Sequence, residues 1–502
     1  MKKRLSILFS VVILCFSVAM AGIILPADVD DDGIVSKDDA TLIYSFICGT
    51  ADASITVDMV DVNGDGKVNT ADVVEVYLKL GEEITNVPYL TFSADEEQTM
   101  TIKLKGSYTM DESIQYSVNE GTWTQLTAGT PITFGGDNGT LRMRGKSAIG
   151  MATDISKYAQ ITFGNKNVPV ASSGDIRTLV NFTNYSSVNT DEARFCYLFN
   201  GCTNLTSAPE LPSNALAERC YYGLFYGCTG LTTPPALPAT SVKGSCYYSM
   251  FYGCTGLTST PKLPATILAD LCYYNMFYGC TGLTSASDLP ATTLAKSCYS
   301  NMFYGCTGLT TAPALPADTL AINCYEKMFY GCTGLTTTPE LPARTLAEKC
   351  YYYMFRDCTG ITTAHALPAT TLAKSSYEYM FYGCTSLVTS PVLSATTLAD
   401  RCCYGMFYNC TELTTATALP ATTLAEKCYY YMFRGCTNLN SVTMLATDIT
   451  ASGCLTNWLD RVATTGTFTK AAEIDETAFT RDKNGIPAGW TIVDYSTSEQ
   501  EN

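Results

Sequence analysis

Residues 272–283 read CYYNMFYGCTGL, and 26 positions later residues 298–309 read CYSNMFYGCTGL. The signature recurs through most of the chain. Aligned on its second cysteine, Cys202, Cys228, Cys254, Cys280, Cys306, Cys332, Cys358, Cys384, Cys410 and Cys436 stand at a constant spacing of 26 residues. A fixed period of roughly 20–29 residues, with leucine at fixed offsets, marks a leucine-rich solenoid whose units each pack only on their neighbours. Within the unit, Cys272, Met276 and Cys280 fall at i, i+4 and i+8 with Phe277 beside them. This spacing predicts the inward stripe of a short helix. In LTTAPALP (309–316), two leucines six apart with Pro313 between them read as the inward set of an extended segment. The expected fold is therefore a repeat solenoid, one β-strand plus one short helix per unit, over 201–445.

The cysteines decide what the solenoid can do chemically. There are 23, all but Cys15 and Cys48 lying between 196 and 454. A C-x7-C pair on one stripe is not a zinc spacing. A bridge within the unit would have to span about 12 Å of helix, too far for a disulfide. Bridges between adjacent units are open to an exported protein, yet Ser376 replaces the first cysteine of one unit while Cys384 stays. The sequence favours buried, reduced, space-filling thiols, with inter-unit disulfides as the alternative.

The unit resembles the BspA-like leucine-rich repeats of bacterial surface proteins. That family has Ile where the first cysteine stands here and Ala-Phe in place of Met-Phe. The resemblance covers about 165–490, including WLDRVATTGTFTK…GIPAGW, which looks like the family's closing cap, and it implies a role in adhesion or protein–protein interaction at the cell surface. Residues 164–200 are expected to cap the array at its start and 446–502 to form the C-terminal cap and tail.

The chain opens MKKRLSILFSVVILCFSVAMAG, a basic start, a short apolar run and an A-x-A site, so residues 1–21 read as a signal peptide. The residues before Cys15 are too large for a lipobox. No later run approaches the roughly 20 apolar residues of a membrane helix, so a secreted protein, extracellular or held at the cell surface, is expected, with no membrane insertion after signal removal. Net charge is −16, which argues against a nucleic-acid partner. His365 is the one imidazole available to any Ser/His or Cys/His arrangement, and sibling units hold Pro, Ser or Thr in its place. No enzyme is expected.

After the signal come DVDDDGIVSKDD (28–39) and DVNGDGKVNTAD (61–72). Each places oxygen side chains at loop positions 1, 3, 5, 9 and 12, with Gly at 6 for the sharp turn, the cage that calcium prefers. The candidate ligands are Asp28, Asp30, Asp32, Ser36 and Asp39, then Asp61, Asn63, Asp65, Asn69 and Asp72, with backbone carbonyls from Ile34 and Lys67. Each loop runs into a helical pattern, and neither has a helix before it. This duplicated unit, about 25–83, resembles a type I dockerin, a small α module. The resemblance implies two calcium ions, a cohesin-bearing scaffold as partner, and partner selection by Lys37, Asp38, Thr70 and Ala71.

Residues 86–163 alternate in short runs and read as an antiparallel, sandwich-like β-domain with a hairpin turn near Asn119 and Gly121. Trp123 reads as core, with sugar stacking as the alternative. In the repeats, the variable outward column of the strand face is Glu210, Ala236, Lys262, Asp288, Ala314, Glu340, Ala366, Val392, Ala418. It lacks the large anchors of a tight interface. Tyrosines form two further columns, one after the first cysteine (as Tyr273), expected to be half-buried packing, and one after Phe (as Tyr278), more exposed. The functional expectation is a secreted, non-catalytic protein that docks through calcium loops and displays a solenoid to a host or cell-wall protein or glycan. The competing reading is a glycan-binding accessory or hydrolase component of a cellulosome-type complex for polysaccharide catabolism. A hydrolase needs two facing carboxylates in a cleft, which the dispersed acids of the repeats do not offer.

Overall fold

The computed structural model describes residues 37–48, 57–62, 67, 68, 72, 73, 76, 87–147, 149–190 and 194–496. The expected signal peptide lies outside them. Two compact units emerge, one running to Pro88 with residues 182–187, the other comprising the rest.

In the first unit, α1 (Lys37–Ile47) runs on from the first loop, as expected, and Asp72, Val73 and Val76 are helical after the second; α2 (Val57–Val60) is a short turn of helix directly before the second loop, where none was expected. Ile43, Val60 and Val76 are fully buried together, flanked by Leu42, Phe46, Val62, Val68 and Val73. A core this small does not hold a fold by apolar burial alone. Structural metal is the usual supplement.

The second unit begins with a two-sheet sandwich. One sheet has the order β4 (Thr124–Gln125), β3 (Gln115–Val118), β6 (Leu141–Arg144), β1 (Leu90–Ser93), β9 (Ala171–Ser173), and the other β5 (Ile132–Phe134), β2 (Gln98–Lys105), β8 (Lys157–Phe163), β7 (Ala152–Asp154). Every pairing is antiparallel. Asn119 and Glu120 take φ of 50° and 58° at the β3–β4 hairpin, the left-handed pair that a tight two-residue turn requires. The sandwich core runs without a break into the repeats. Ile161 donates its N–H to Leu198 O at 2.7 Å, Val170 pairs in parallel with Leu205, and the Phe92 ring meets Phe163 edge-on at 5.5 Å and Phe199 at 6.2 Å. The apolar end of the solenoid is thereby covered.

In the rungs the structure departs from a helix. Cys246, Tyr248, Met250, Tyr252 and Cys254 each close a turn onto the carbonyl three residues back. Between them Ser245, Tyr247, Ser249, Phe251 and Gly253 donate to the next rung, to Asp270, Cys272, Tyr274, Met276 and Tyr278 carbonyls at 2.7–3.0 Å. The alternation is possible because every fourth residue is left-handed: φ is 55° at Ser245, 51° at Ser249 and 69° at Gly253. A left-handed residue ends any α-helix. The segment is thus a run of turns with a period of four, and Cys246, Met250 and Cys254 still share one inward face because they lie four apart. The inward set was read correctly; the helix was not.

The extended side also departs from a continuous strand. Parallel pairing is reduced to isolated bridges, such as Ser259 with Ser285, Ile267 with Thr293 and Thr337 with Thr363. Proline is the cause. Residues such as Pro261 and Pro264 have no N–H to donate to a ladder. The array contains its own control: 441–444, SVTM, lacks proline and forms β10 (Ser441–Met444), which pairs in parallel and in register with β11 (Gly466–Lys470), itself paired with β12 (Trp490–Asp494). Leu309, Pro313, Leu315 and Ala317 face inward and Thr311 outward, as an extended segment dictates.

Columns of identical residues form the core. Phe rings stack from Phe199 to Phe433, neighbours from Phe225 to Phe355 lying 5.5–5.6 Å apart and tilted by at most 7°. The column ends on Trp458, whose ring meets Phe468 and, through it, Phe479 in the closing cap. Among the described residues the cysteines are free thiols. From Cys228 to Cys436 each second cysteine donates its S–H to the Phe carbonyl of the rung before, as Cys254 to Phe225 at 3.0 Å and Cys332 to Phe303 at 2.9 Å, and Cys202 donates to Ile161 O at 3.2 Å. A small side chain with a donor fills the corner and satisfies a lone pair that Ala would leave bare.

Candidate functional site

Three regions carry the residues singled out above. The first is the pair of acidic loops. Asp39 stands in the first turn of α1, where a carboxylate is favoured by the helix dipole. Asp72 occupies the same twelfth position of the second loop. Both are fully buried, Asp61 is half-buried and Lys67 is exposed. A carboxylate buried at the twelfth loop position stands where the motif places an ion ligand. These observations fit calcium. Asp28, Asp30, Asp32, Ile34, Ser36, Asn63, Asp65 and Asn69 lie outside the described residues. Of the positions expected to select the partner, Lys37 and Asp38 open α1, and Thr70 and Ala71 lie outside the described residues.

The second region is the strand face. Its variable column from Glu210 to Ala418 is exposed throughout. The threonines beside it spend their hydroxyls internally: Thr284 donates to Thr258 O at 3.2 Å and Thr414 to Val388 O at 3.3 Å. The face fastens rung to rung and offers little to a partner.

The third is the turn face. The first tyrosine column, Tyr221, Tyr247, Tyr273, Tyr299, Tyr325, Tyr351, Tyr377 and Tyr429, is fully buried rather than half-buried, because its positions fall next to the inward cysteines in the four-residue period. The second column is half-exposed and stacked face to face: Tyr226, Tyr252, Tyr278, Tyr304 and Tyr330 follow at 4.5, 4.6, 4.4 and 4.4 Å. Burial first, and then the neighbouring phenols, push Tyr278 up to about 12 and raise Tyr304. Their hydroxyls remain donors at any physiological pH. Sequence reasoning missed the cations that continue this stack. Arg356 takes the tyrosine position between Tyr330 and Tyr382, its guanidinium 5.3 and 4.2 Å from their ring centres, and Arg434 follows Tyr408 at 5.7 Å. The signal was available as breaks in an otherwise constant column.

Two single residues are placed differently. His365 is exposed, and its Nδ1 bonds the Thr338 carbonyl of the preceding rung at 2.7 Å, which ties the ring to the backbone. Trp123 is not core. It lies half-exposed against Tyr89 at 4.8 Å, with the Arg144 guanidinium over its ring at 4.1 Å. Its place on the short β3–β4 hairpin explains the difference, since a two-residue strand at a sheet edge has little to bury it.

No helix among the described residues is long and apolar enough to cross a membrane. The fold defines a parallel solenoid of leucine-rich rungs closed by caps. Residues between 195 and 484 match the BspA type leucine rich repeat region in several overlapping segments, and the chain belongs to that family. Residues 26–80 match the dockerin type I domain, a calcium-binding module that binds cohesin-bearing scaffolds. Two crystal structures of leucine-rich repeat proteins are similar in part. One, from Bacteroides ovatus ATCC 8483, has 17% identity over 61% of this chain and 86% of that one, with a TM-score of 0.27. The other, from Eubacterium ventriosum ATCC 27560, has 12% identity over 66% and 82%, with a TM-score of 0.28. No curated protein matches the chain.

Proposed function

We propose that this is a secreted, non-catalytic protein that attaches through its dockerin unit to a cohesin on a scaffold and displays its solenoid as an adhesive or protein-binding surface. The observation that carries the docking half is the burial of Asp39 and Asp72 at equivalent positions of two complete calcium loops. One ion would be held by Asp28, Asp30, Asp32, the Ile34 carbonyl, Ser36 and Asp39, the other by Asp61, Asn63, Asp65, the Lys67 carbonyl, Asn69 and Asp72. Calcium supplies the charge that lets these carboxylates stay ionised in a small fold. Lys37, Asp38, Thr70 and Ala71 would meet the cohesin, and because the two pairs differ in chemistry, the copies should not be interchangeable. The domain organisation that follows is a docking unit near 25–83, a β-domain near 86–163, a leading cap near 164–200, rungs over 201–445 and a closing cap beyond.

The test is binding of the full chain to a panel of cohesin domains. In calcium at least one member should be bound, EDTA should abolish the complex, and Asp39→Ala combined with Asp72→Ala should do the same in calcium. Binding that ignores EDTA, or none across the panel, would contradict the docking reading.

A further inference from the structure

At Lys327 and Arg356 the turn face dips into an open depression of about 500 Å³, lined also by Tyr278, Tyr304, Tyr330 and Asn301. Among the described residues no carboxylate lines it, although the chain carries a net charge of −16. Lys327 Nζ reaches Glu326 at 2.8 Å and Arg356 Nε reaches Asp357 at 3.3 Å. Each pairing uses one donor. The two Nη groups of Arg356 and the remaining N–H groups of Lys327 are left for something else.

The stacking decides what that is. Tyr278, Tyr304 and Tyr330 lie ring on ring, tilted by only 6° and 12°, and Arg356 stands over Tyr330 on the far side. No ring face in this row is open to a pyranose. What points outward is ring edges, phenolic hydroxyls that bond one another along the row and Asp357 at Tyr330, an amide and two cations. Tyrosine and arginine are also the residues that anchor protein interfaces, at low entropic cost.

We propose that this depression seats the carboxylate side chains of an extended acidic segment of a protein partner. Arg356 and Lys327 take the carboxylates, the Asn301 amide bonds the segment's backbone, and the tyrosine ring edges pack beneath it. The ligand competes with Glu326 and Asp357 for the same cations, so binding is modest and falls with salt. The inference rests on the reading of the solenoid as the displayed surface.

The experiment uses the full chain in calcium and a fluorescein-labelled decapeptide of alternating glutamate and serine, followed by anisotropy at two salt concentrations. Comparators are the lysine–serine decapeptide and polygalacturonate. The disruptive variant is Arg356→Tyr with Lys327→Asn. It installs what sibling rungs already hold, Tyr at Tyr304 and Tyr330, and Asn at Asn275 and Asn301, where φ is 55°. The fold is thereby kept. Lys262→Ala on the strand face is the control. The acidic peptide should bind, weaken with salt and lose about tenfold or more in the double variant, with the control unchanged. No binding of the acidic peptide, equal binding of the lysine peptide, tighter binding of polygalacturonate, or an unaltered double variant would each overturn the assignment. Cohesin binding is measured in parallel: if it persists where the peptide fails, only this assignment falls, and if it fails where the peptide binds, only the docking reading falls.

Discussion

Leu271 sits at φ 58°, in a column where other rungs have Ser, Asn, Lys or Arg. A left-handed non-glycine residue costs about 1–2 kcal/mol, so Leu271→Gly should stabilise the protein by about 1 kcal/mol, read as a higher urea midpoint; an unchanged or lower midpoint would contradict the turn geometry. The buried thiols give a pH dependence. Burial lifts Cys246, Cys254, Cys298, Cys306 and Cys350 from 9.0 to about 12. In the folded chain they keep their protons well past the pH at which the unfolded chain releases them. Their stabilising contribution is full below about pH 9 and is lost as pH rises towards 12. Unfolding midpoints measured from pH 7 to 11 should therefore fall above pH 9, and thiol reagents at pH 8 should reach Cys48, which is exposed, far faster than the cysteines of the rungs. Rapid modification of more than 20 thiols in native protein would refute this.

At the scale of the rung, the sequence announced which residues face inward but not the backbone that turns them there. Cys, Met and Cys at intervals of four satisfy both a helix and a chain of four-residue turns. The deciding signals are weaker: glycine just before the second cysteine in most rungs, and Asn275 and Asn301 four residues earlier. The prolines, at least one in every rung from Pro209 to Pro420, likewise forecast broken pairing, and β10, free of them, is the one rung with a regular strand. Column continuity makes the unit modular, since each rung meets only its neighbours. Deleting 281–306, one whole period, should leave a cooperative fold with a proportionately smaller unfolding enthalpy in calorimetry. Deleting 281–293, half a period, should abolish it, because every column beyond is thrown out of register. Two folded deletions would deny the stacked-column account.

For the whole molecule, the dockerin unit was legible because its oxygen-bearing side chains recur at fixed positions in two contiguous stretches. The cation-lined depression was not, because Lys327, Arg356 and Tyr278 meet only after four rungs have stacked. Division of labour is the central claim: one unit docks in calcium, the other stays free to bind. Hydrogen exchange on the full chain, with and without a cohesin that it binds in calcium, tests this most directly. The account predicts slowed exchange confined to residues 26–80 and unchanged exchange in the rungs, with EDTA reversing it. Protection spread over the rungs, or absent from 26–80, would contradict it.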